Sequence, residues 1–200
     1  MEDRKKTNDS QCIHTRLRKN FNLITNITSI SIVLAIILIV FTSVQFNHSL
    51  KSYGFIQGDI GKAMTVFADS RSALRAVIGY LDAGSISEQQ EIYFDKRDSF
   101  TTYFNSITEQ CNYSEAKKIC DNISSVIDDY WTLSDEIIRQ GATSDVNASN
   151  NAQRLEMNKL TPEYDTIYGY MKQLMDCYVT KGNAYKRQLN IIEFVCIAVI

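Results

Sequence analysis

Apolar residues recur at alternating spacings of three and four along most of this chain, which is the period of a helix that buries one side. The spacing is unbroken between Tyr53 and Leu81. Its positions are Ile56, Ile60, Ala63, Phe67, Ser70, Leu74, Val77 and Leu81. The polar segment Asp82–Ser85, with Gly84 as a C-cap residue, is expected to end this first helix.

Three more helices are predicted after the first. Ser87 and the acidic and amide residues that follow it resemble a capping box, so a second helix is expected from there to about Cys111. A third is predicted from Ser114 to Gly141, and a fourth begins in the polar stretch 143–151. The fourth carries the same spacing at Tyr164, Tyr168, Met171, Met175, Tyr178, Gly182, Tyr185, Leu189, Ile192 and Cys196. Because the connections are short, we predict an all-α protein, an antiparallel up-down four-helix bundle continuous with transmembrane helices.

Residues 21–46 form an apolar run that, at about 1.5 Å per residue, can cross a hydrocarbon layer of about 30 Å. Basic residues are concentrated before it, at Arg4, Lys5, Lys6, Arg16, Arg18 and Lys19. The positive-inside bias therefore predicts a cytoplasmic tail at 1–20, a first transmembrane helix at 21–46 and an extracytoplasmic module at 47–189. A cleaved signal peptide is the alternative, but its apolar core would be about 7 to 15 residues long, and the segment 42–46 is a poor cleavage site.

The C-terminal segment 190–200 is also apolar, yet it covers only about half of a membrane span. We expect it to be the start of a second transmembrane helix that is truncated here, followed in the whole protein by a cytoplasmic region with its own signalling partners. A helix that only dips into the membrane interface is the alternative.

Charge and composition exclude several classes of function. The formal net charge is −2, and the single basic cluster is explained by membrane topology, so no nucleic-acid partner is expected. The two histidines, His14 and His48, would lie on opposite sides of the membrane. No phosphate-binding glycine loop, CxxC or HExxH motif occurs. We therefore predict no enzyme, no catalytic residue, no cofactor and no metal site.

Two short segments resemble the extracytoplasmic sensor of bacterial methyl-accepting chemotaxis proteins of the four-helix-bundle type. In the segment 71–82, Arg71 and Arg75 are placed like the two arginines of helix one in enteric amino-acid chemoreceptors. The segment 160–164 is similar to the helix-four segment that holds a proline near their ligand site. The resemblance implies a small-molecule site, and the candidate ligand-binding residues are Arg71, Arg75, Thr161, Glu163 and Tyr164.

The chain departs from that family at two positions, Val66, where the receptors have a further arginine, and Glu163, where they have a small hydroxyl residue. A carboxylate at position 163 would repel an acidic ligand or attract an amine. The class of ligand is therefore left open.

Helical projection places Arg71 about 70° and Arg75 about 130° from the buried seam, so both are expected to face away from the bundle core. Gly54, Gly61 and Ala68 recur at intervals of seven on this part of the helix. They predict a parallel homodimer through helix one, with the arginine pair near the subunit boundary, where two guanidinium groups can hold a carboxylate. A solvated arginine pair on an exposed face is the simpler interpretation.

The extracytoplasmic module contains an odd number of cysteines, Cys111, Cys120 and Cys177. Cys111 and Cys120 flank the connection between helices two and three, and they form a disulfide only if their Cβ atoms face each other. Buried free thiols are the alternative.

These features together predict a transmembrane receptor region in the cell membrane that detects an extracellular small molecule and transmits the signal by helix displacement. The same bundle also serves sensor histidine kinases and cyclic-nucleotide enzymes, and the sequence after Ile200 would distinguish these outputs. A membrane-anchored structural or adhesion bundle is the alternative from another class.

Overall fold

The structure is a computed structural model that describes the backbone of residues 2–199 and the side chains of residues 15–194, and this part of the chain contains helices and no strand. Its α-helices are α1 (Glu2–Ser49), α2 (Phe55–Gly79), α3 (Ala83–Gln110), α4 (Ser114–Gly141), α5 (Val146–Leu155) and α6 (Thr161–Val199). A π-helical turn, Leu50–Gly54, joins α1 to α2, and a second, Glu156–Leu160, joins α5 to α6. The residues that flank both π turns keep helical backbone angles, so residues 2–199 form four helices. The last of these, α5 to α6, is called helix four below. The predicted all-α helical bundle is confirmed.

The chain divides into two compact units. The first comprises Met1–His48 and Lys186–Ile200. In its described part, one helix near the N-terminus is long and apolar enough to span a membrane, and none of its most apolar stretch is buried within the chain. Most of the predicted tail 1–20 and of the predicted second span 190–200 lies outside the residues whose side chains are described.

The second unit, Ser49–Tyr185, holds the hydrophobic core. Seven of the eight seam positions predicted for the first helix are buried. The exception is Leu81, which is 48% exposed because α2 already ends at Gly79. In the centre of the core, the ring of Phe67 contacts the rings of Phe100, Tyr130, Trp131 and Tyr164 at centroid distances of 4.9 to 5.7 Å. Such aromatic contacts bury large apolar surfaces in specific relative orientations.

The predicted boundary between the first two helices was wrong in its details. Tyr80 is extended and ends α2, while Asp82 is the N-cap of α3 and its Oδ1 accepts a hydrogen bond of 2.8 Å from the Ser85 N–H. Gly84 therefore lies in the first turn of α3 and is no C-cap, and Ser87 lies inside the helix that it was predicted to begin. An aspartate satisfies the free N–H groups of a helix start as well as serine does, so Asp82 caps α3 five residues before Ser87.

The end of the bundle that contains the connections 80–82 and 142–145 is called the distal end below. Here side chains of helix four bind a free carbonyl group in the last turn of α2. Ser149 Oγ and Gln153 Nε2 both donate hydrogen bonds to the Ile78 carbonyl, at 2.5 and 3.1 Å. Gly141 allows α4 to approach closely, since a Cβ on it would lie 2.5 Å from Ile78 Cγ2 and 2.7 Å from Ala152 Cβ.

The opposite end of the unit, called the basal end, contains the connection 111–113 together with Tyr53 and Tyr178. Tyr113 donates a hydrogen bond of 2.8 Å to the Tyr53 hydroxyl, and its ring packs edge-on against Tyr178 at 5.8 Å. Cys111, Cys120 and Cys177 are buried free thiols, so of the two alternatives left open for the cysteines the structure has the reduced one. Burial and the neighbouring Cys111 raise the pKa of the Cys120 thiol to about 12.

Candidate functional site

Arg71 and Arg75 of α2 both bind the carboxylate of Glu156, the first residue of the second π turn. Arg71 Nε donates to Glu156 Oε1 at 3.2 Å, and Arg75 Nε donates to the same oxygen at 2.8 Å. The Glu156 side chain is 4% exposed and that of Arg71 is 12% exposed, whereas Arg75 is 51% exposed. A carboxylate held by two guanidinium groups is a strong, charge-assisted arrangement.

The predicted orientation of the arginines was therefore wrong for Arg71, which turns toward helix four. The prediction used a single seam, but α2 packs against several neighbours and also buries Ala73 and Ile78, which lie beside that seam. A residue about 70° from the first seam then lies at the edge of a second contact, and a long arginine side chain can reach across it. Arg75, further round the helix, stays half exposed.

Thr161 and Tyr164 of α6 complete this cluster. Thr161 Oγ1 accepts a hydrogen bond of 2.7 Å from Arg71 Nη2 and donates one of 3.3 Å to Glu156 Oε1. The Arg71 guanidinium carbon lies 4.1 Å from the centroid of the Tyr164 ring, which also stacks on Phe67 with an interplanar angle of 4°. Burial raises the pKa of the Tyr164 hydroxyl, while the nearby Arg71 opposes that rise. Four of the five predicted site residues thus lie together, and we call Arg71, Arg75, Glu156, Thr161 and Tyr164 the arginine cluster.

The fifth predicted residue, Glu163, lies on another side of helix four. It lines a depression of about 270 Å³ with Val126, Pro162 and Thr166. Its Oε2 is buried and has no hydrogen-bond partner among the described residues. Burial, and secondarily the charge of Asp129, raise the pKa of the Glu163 carboxyl. The structure therefore does not bring Glu163 to the arginine cluster.

No protein-family model matches this chain, and no curated protein and no solved structure matches it either. The chemoreceptor resemblance accordingly stays a prediction based on two short segments and the bundle architecture.

A surface depression of about 380 Å³ opens beside the arginine cluster. Its lining residues are Arg75, Ile78, Gly79, Gln153, Glu156 and Met157. Met157 is 67% exposed at its rim, and Arg75 is the guanidinium group nearest to solvent. A small solute can therefore reach the cluster through this depression without passing through the core.

Sequence reasoning missed Glu156, although a signal for it exists. The positions Ala152, Glu156, Leu160 and Tyr164 follow one another at steps of four, whereas an uninterrupted α-helix alternates steps of three and four. Successive steps of four indicate an inserted residue, which is what a π turn is. The same steps place an acidic side chain on the buried side of helix four, opposite the arginines of α2.

The small residues predicted to form a homodimer contact do not share one open surface. Gly54 is exposed, but a Cβ on Gly61 would lie 3.8 Å from Met175 Cε of α6, so Gly61 belongs to a contact within the bundle. Gly58, with no atom within 4 Å of an added Cβ, is the glycine of this region that faces open space. Among the side chains of residues 15–194, no group of three or more His, Cys, Asp or Glu residues is placed to hold a metal ion.

Proposed function

We propose that this chain is the sensor region of a membrane receptor of the chemoreceptor kind, and that an extracellular small molecule binds at the arginine cluster. The N-terminus lies in the cytoplasm, the N-terminal apolar helix spans the membrane, and residues 47–189 lie outside. Output passes to cytoplasmic signalling partners. The chain acts as a homodimer.

One observation carries this proposal, namely that helix four supplies Glu156, Thr161 and Tyr164 to the cluster. The same helix continues without interruption to Val199 and includes the apolar C-terminal run. A change in what the arginines bind therefore acts directly on the helix that leads toward the output. A ligand shifts such an equilibrium only by its difference in affinity for the two states, and a few kcal/mol is enough.

The depression beside the cluster supports the same assignment. It gives solvent access to the Arg75 guanidinium, which is paired with the buried Glu156 carboxylate. Ligand sites commonly combine an apolar lining with a few fixed polar groups, and this depression combines Ile78 and Met157 with Arg75 and Gln153.

The test is thermal unfolding of the full chain in detergent micelles, followed by the fluorescence of the buried Trp131. Amino acids, organic acids and amines are screened one at a time. We expect at least one class to raise the melting temperature in a saturable manner and Arg75→Ala to abolish the effect.

The matched control is Arg139→Ala, which removes an exposed arginine that pairs with Glu136 on α4, away from the cluster. This variant should keep the ligand response. If no compound shifts the melting temperature, or if Arg75→Ala responds as the wild type does, the receptor function is wrong and a structural or adhesion role takes its place.

A further inference from the structure

Glu156 occupies the position in which two guanidinium groups would hold the carboxylate of a ligand. Both arginines and the Thr161 hydroxyl direct their hydrogen bonds to the same oxygen, Oε1. The acceptor is thus a carboxylate that belongs to the chain itself.

Packing does not require an acidic residue at this position. Glu156 follows Ala152 and precedes Leu160 along the buried side of helix four, and both of these neighbours are fully buried apolar residues. Replacing a buried ion pair by apolar side chains of similar size is often neutral or stabilising, so the ion pair is poorly explained as a device for stability. Glu156 also begins a π turn, and π turns inside long helices occur frequently at functional sites.

We infer that Glu156 is an internal competitor for the arginine cluster, and that the external ligand is an anion, a carboxylate, that takes its place. This inference rests on the proposed function and concerns the regulation of the same site. Because Arg75 is half exposed beside the depression, an incoming carboxylate meets Arg75 first and then replaces Glu156 on Arg71.

Competition of this kind sets both affinity and signal. The apparent affinity of the wild-type chain is lowered by the fraction of molecules in which Glu156 has left the arginines. Asp165 of α6 keeps its 4.0 Å contact with Arg71 when Glu156 leaves, whereas helix four loses the connection that Glu156 makes to Arg71 and Arg75. Ligand binding and release of that connection are therefore the same event.

The experiment removes the internal carboxylate and supplies an external one. Full-length Glu156→Ala is unfolded thermally in micelles in 100 mM sodium acetate and, for comparison, in 100 mM sodium chloride. We expect a melting temperature below that of the wild type in chloride, and a saturable rise of about 3 °C or more in acetate. The wild type should show a difference between the two salts of less than about 1 °C, since its site is already filled.

Two further variants make the result specific to this site. Glu136→Ala removes an exposed, ion-paired glutamate of α4 and should show no response to acetate. The double variant Glu156→Ala with Arg75→Ala should lose the response that Glu156→Ala gains. If Glu156→Ala does not fold, Glu156→Gln keeps the size of the side chain, and the acetate response is measured on that variant.

Equal acetate responses in the wild type and in the Glu156 variant, or none in either, would overturn the inference. The outcome is separable from that of the proposed function. Acetate rescue without any metabolite that binds the wild type supports the internal competitor and removes the receptor. A metabolite that binds the wild type, without acetate rescue of the Glu156 variant, does the reverse.

Discussion

The two ends of the helical unit are held together by different chemistry. Near the distal end, α2 is joined to helix four by a buried carboxylate, two arginines and side chains that bind the Ile78 carbonyl. At the basal end, the contacts include a pair of tyrosine hydroxyls, tyrosine rings and buried thiols, and Lys181 lies 5.6 Å from the centroid of the Tyr113 ring. Charge-assisted hydrogen bonds are shorter and stronger than hydrogen bonds between neutral groups. The contacts near the distal end should therefore cost more to break than those at the basal end.

Breaking the arginine cluster should have the largest effect on stability. Arg71→Ala removes the more buried partner of the 4% exposed Glu156 side chain, which keeps Arg75, and loss of a buried hydrogen bond to a charged group should cost about 1.5–3 kcal/mol. Arg75→Ala should cost less, about 1 kcal/mol, because that side chain is half exposed. The free energy of unfolding is measured by urea titration of the full chain, followed by Trp131 fluorescence. Equal losses for the two arginines would show that the difference in their burial has no energetic consequence.

The close approach of α4 at the distal end should give the next largest effect. A Cβ on Gly141 overlaps Ile78 and Ala152, so Gly141→Ala forces helices apart and should cost about 1–3 kcal/mol. Gly58→Ala is the matched control, because an added Cβ there meets no atom within 4 Å. In an exposed helix interior that substitution should raise stability by about 0.5–1 kcal/mol. The two substitutions must therefore have opposite signs in the same urea titration, and a stabilising Gly141→Ala would contradict the tight contact.

The buried positions of α2 and the arginine cluster differ in how well the sequence predicted them. Burial on α2 was predicted correctly at seven of eight positions, because the alternation of three and four depends only on helical geometry. The partner of the arginines was not predicted, because the angular position of Glu156 depends on a π turn. In an uninterrupted α-helix, residues seven apart lie about 20° from each other, so Glu156 and Glu163 would share a face. The inserted residue changes that angle by about 100°, and Glu156 faces α2 while Glu163 faces Val126 of α4.

Glu163, the fifth predicted site residue, was misplaced because the sequence did not reveal the π turn. Glu163 was grouped with the arginines because it follows Pro162 in a segment that resembles a ligand site. Resemblance gives a residue's place along the chain, but not the phase of the helix that carries it. Thr161 and Tyr164, in the same segment, do reach Arg71 because they lie on the side of α6 that faces α2.

The basal end should lose stability at alkaline pH. Burial and the Tyr53 hydroxyl raise the pKa of Tyr113 to about 12, from 10.0 in an unperturbed tyrosine. Between these two values the folded chain binds the proton more tightly than the unfolded chain, so stability present below pH 10 falls as the pH rises toward 12. Tyr113→Phe should remove this part of the slope and cost about 0.5–1.5 kcal/mol at pH 8, where one hydrogen bond is lost.

Urea titrations at pH 8, 10 and 11 measure both quantities. Tyr80→Phe is the control, since Tyr80 is 44% exposed at the opposite end of the bundle. It should leave stability and its pH dependence unchanged. An unchanged alkaline slope in Tyr113→Phe would mean that other groups control the basal end at high pH.

The smallest expected effect concerns Glu163. It compares Glu156, whose carboxylate is held by two arginines, with Glu163, whose Oε2 has no hydrogen-bond partner among the described residues. Burial and Asp129 raise the pKa of the Glu163 carboxyl above its ordinary value of 4.5, so the folded chain holds that proton more tightly than the unfolded chain. Stability therefore falls as the pH rises from 4.5 through the pKa of the folded state, and the ionised carboxylate opposes folding at neutral pH. Glu163→Gln should raise stability at pH 7 by less than about 1 kcal/mol, because the residue is only partly buried.

The gain should disappear in titrations below pH 4.5, and the exposed control Glu109→Gln should show no gain at either pH. A loss of stability in Glu163→Gln at pH 7 would show that this carboxylate has a partner, as Glu156 does, and the contrast between the two glutamates of helix four would then be lost.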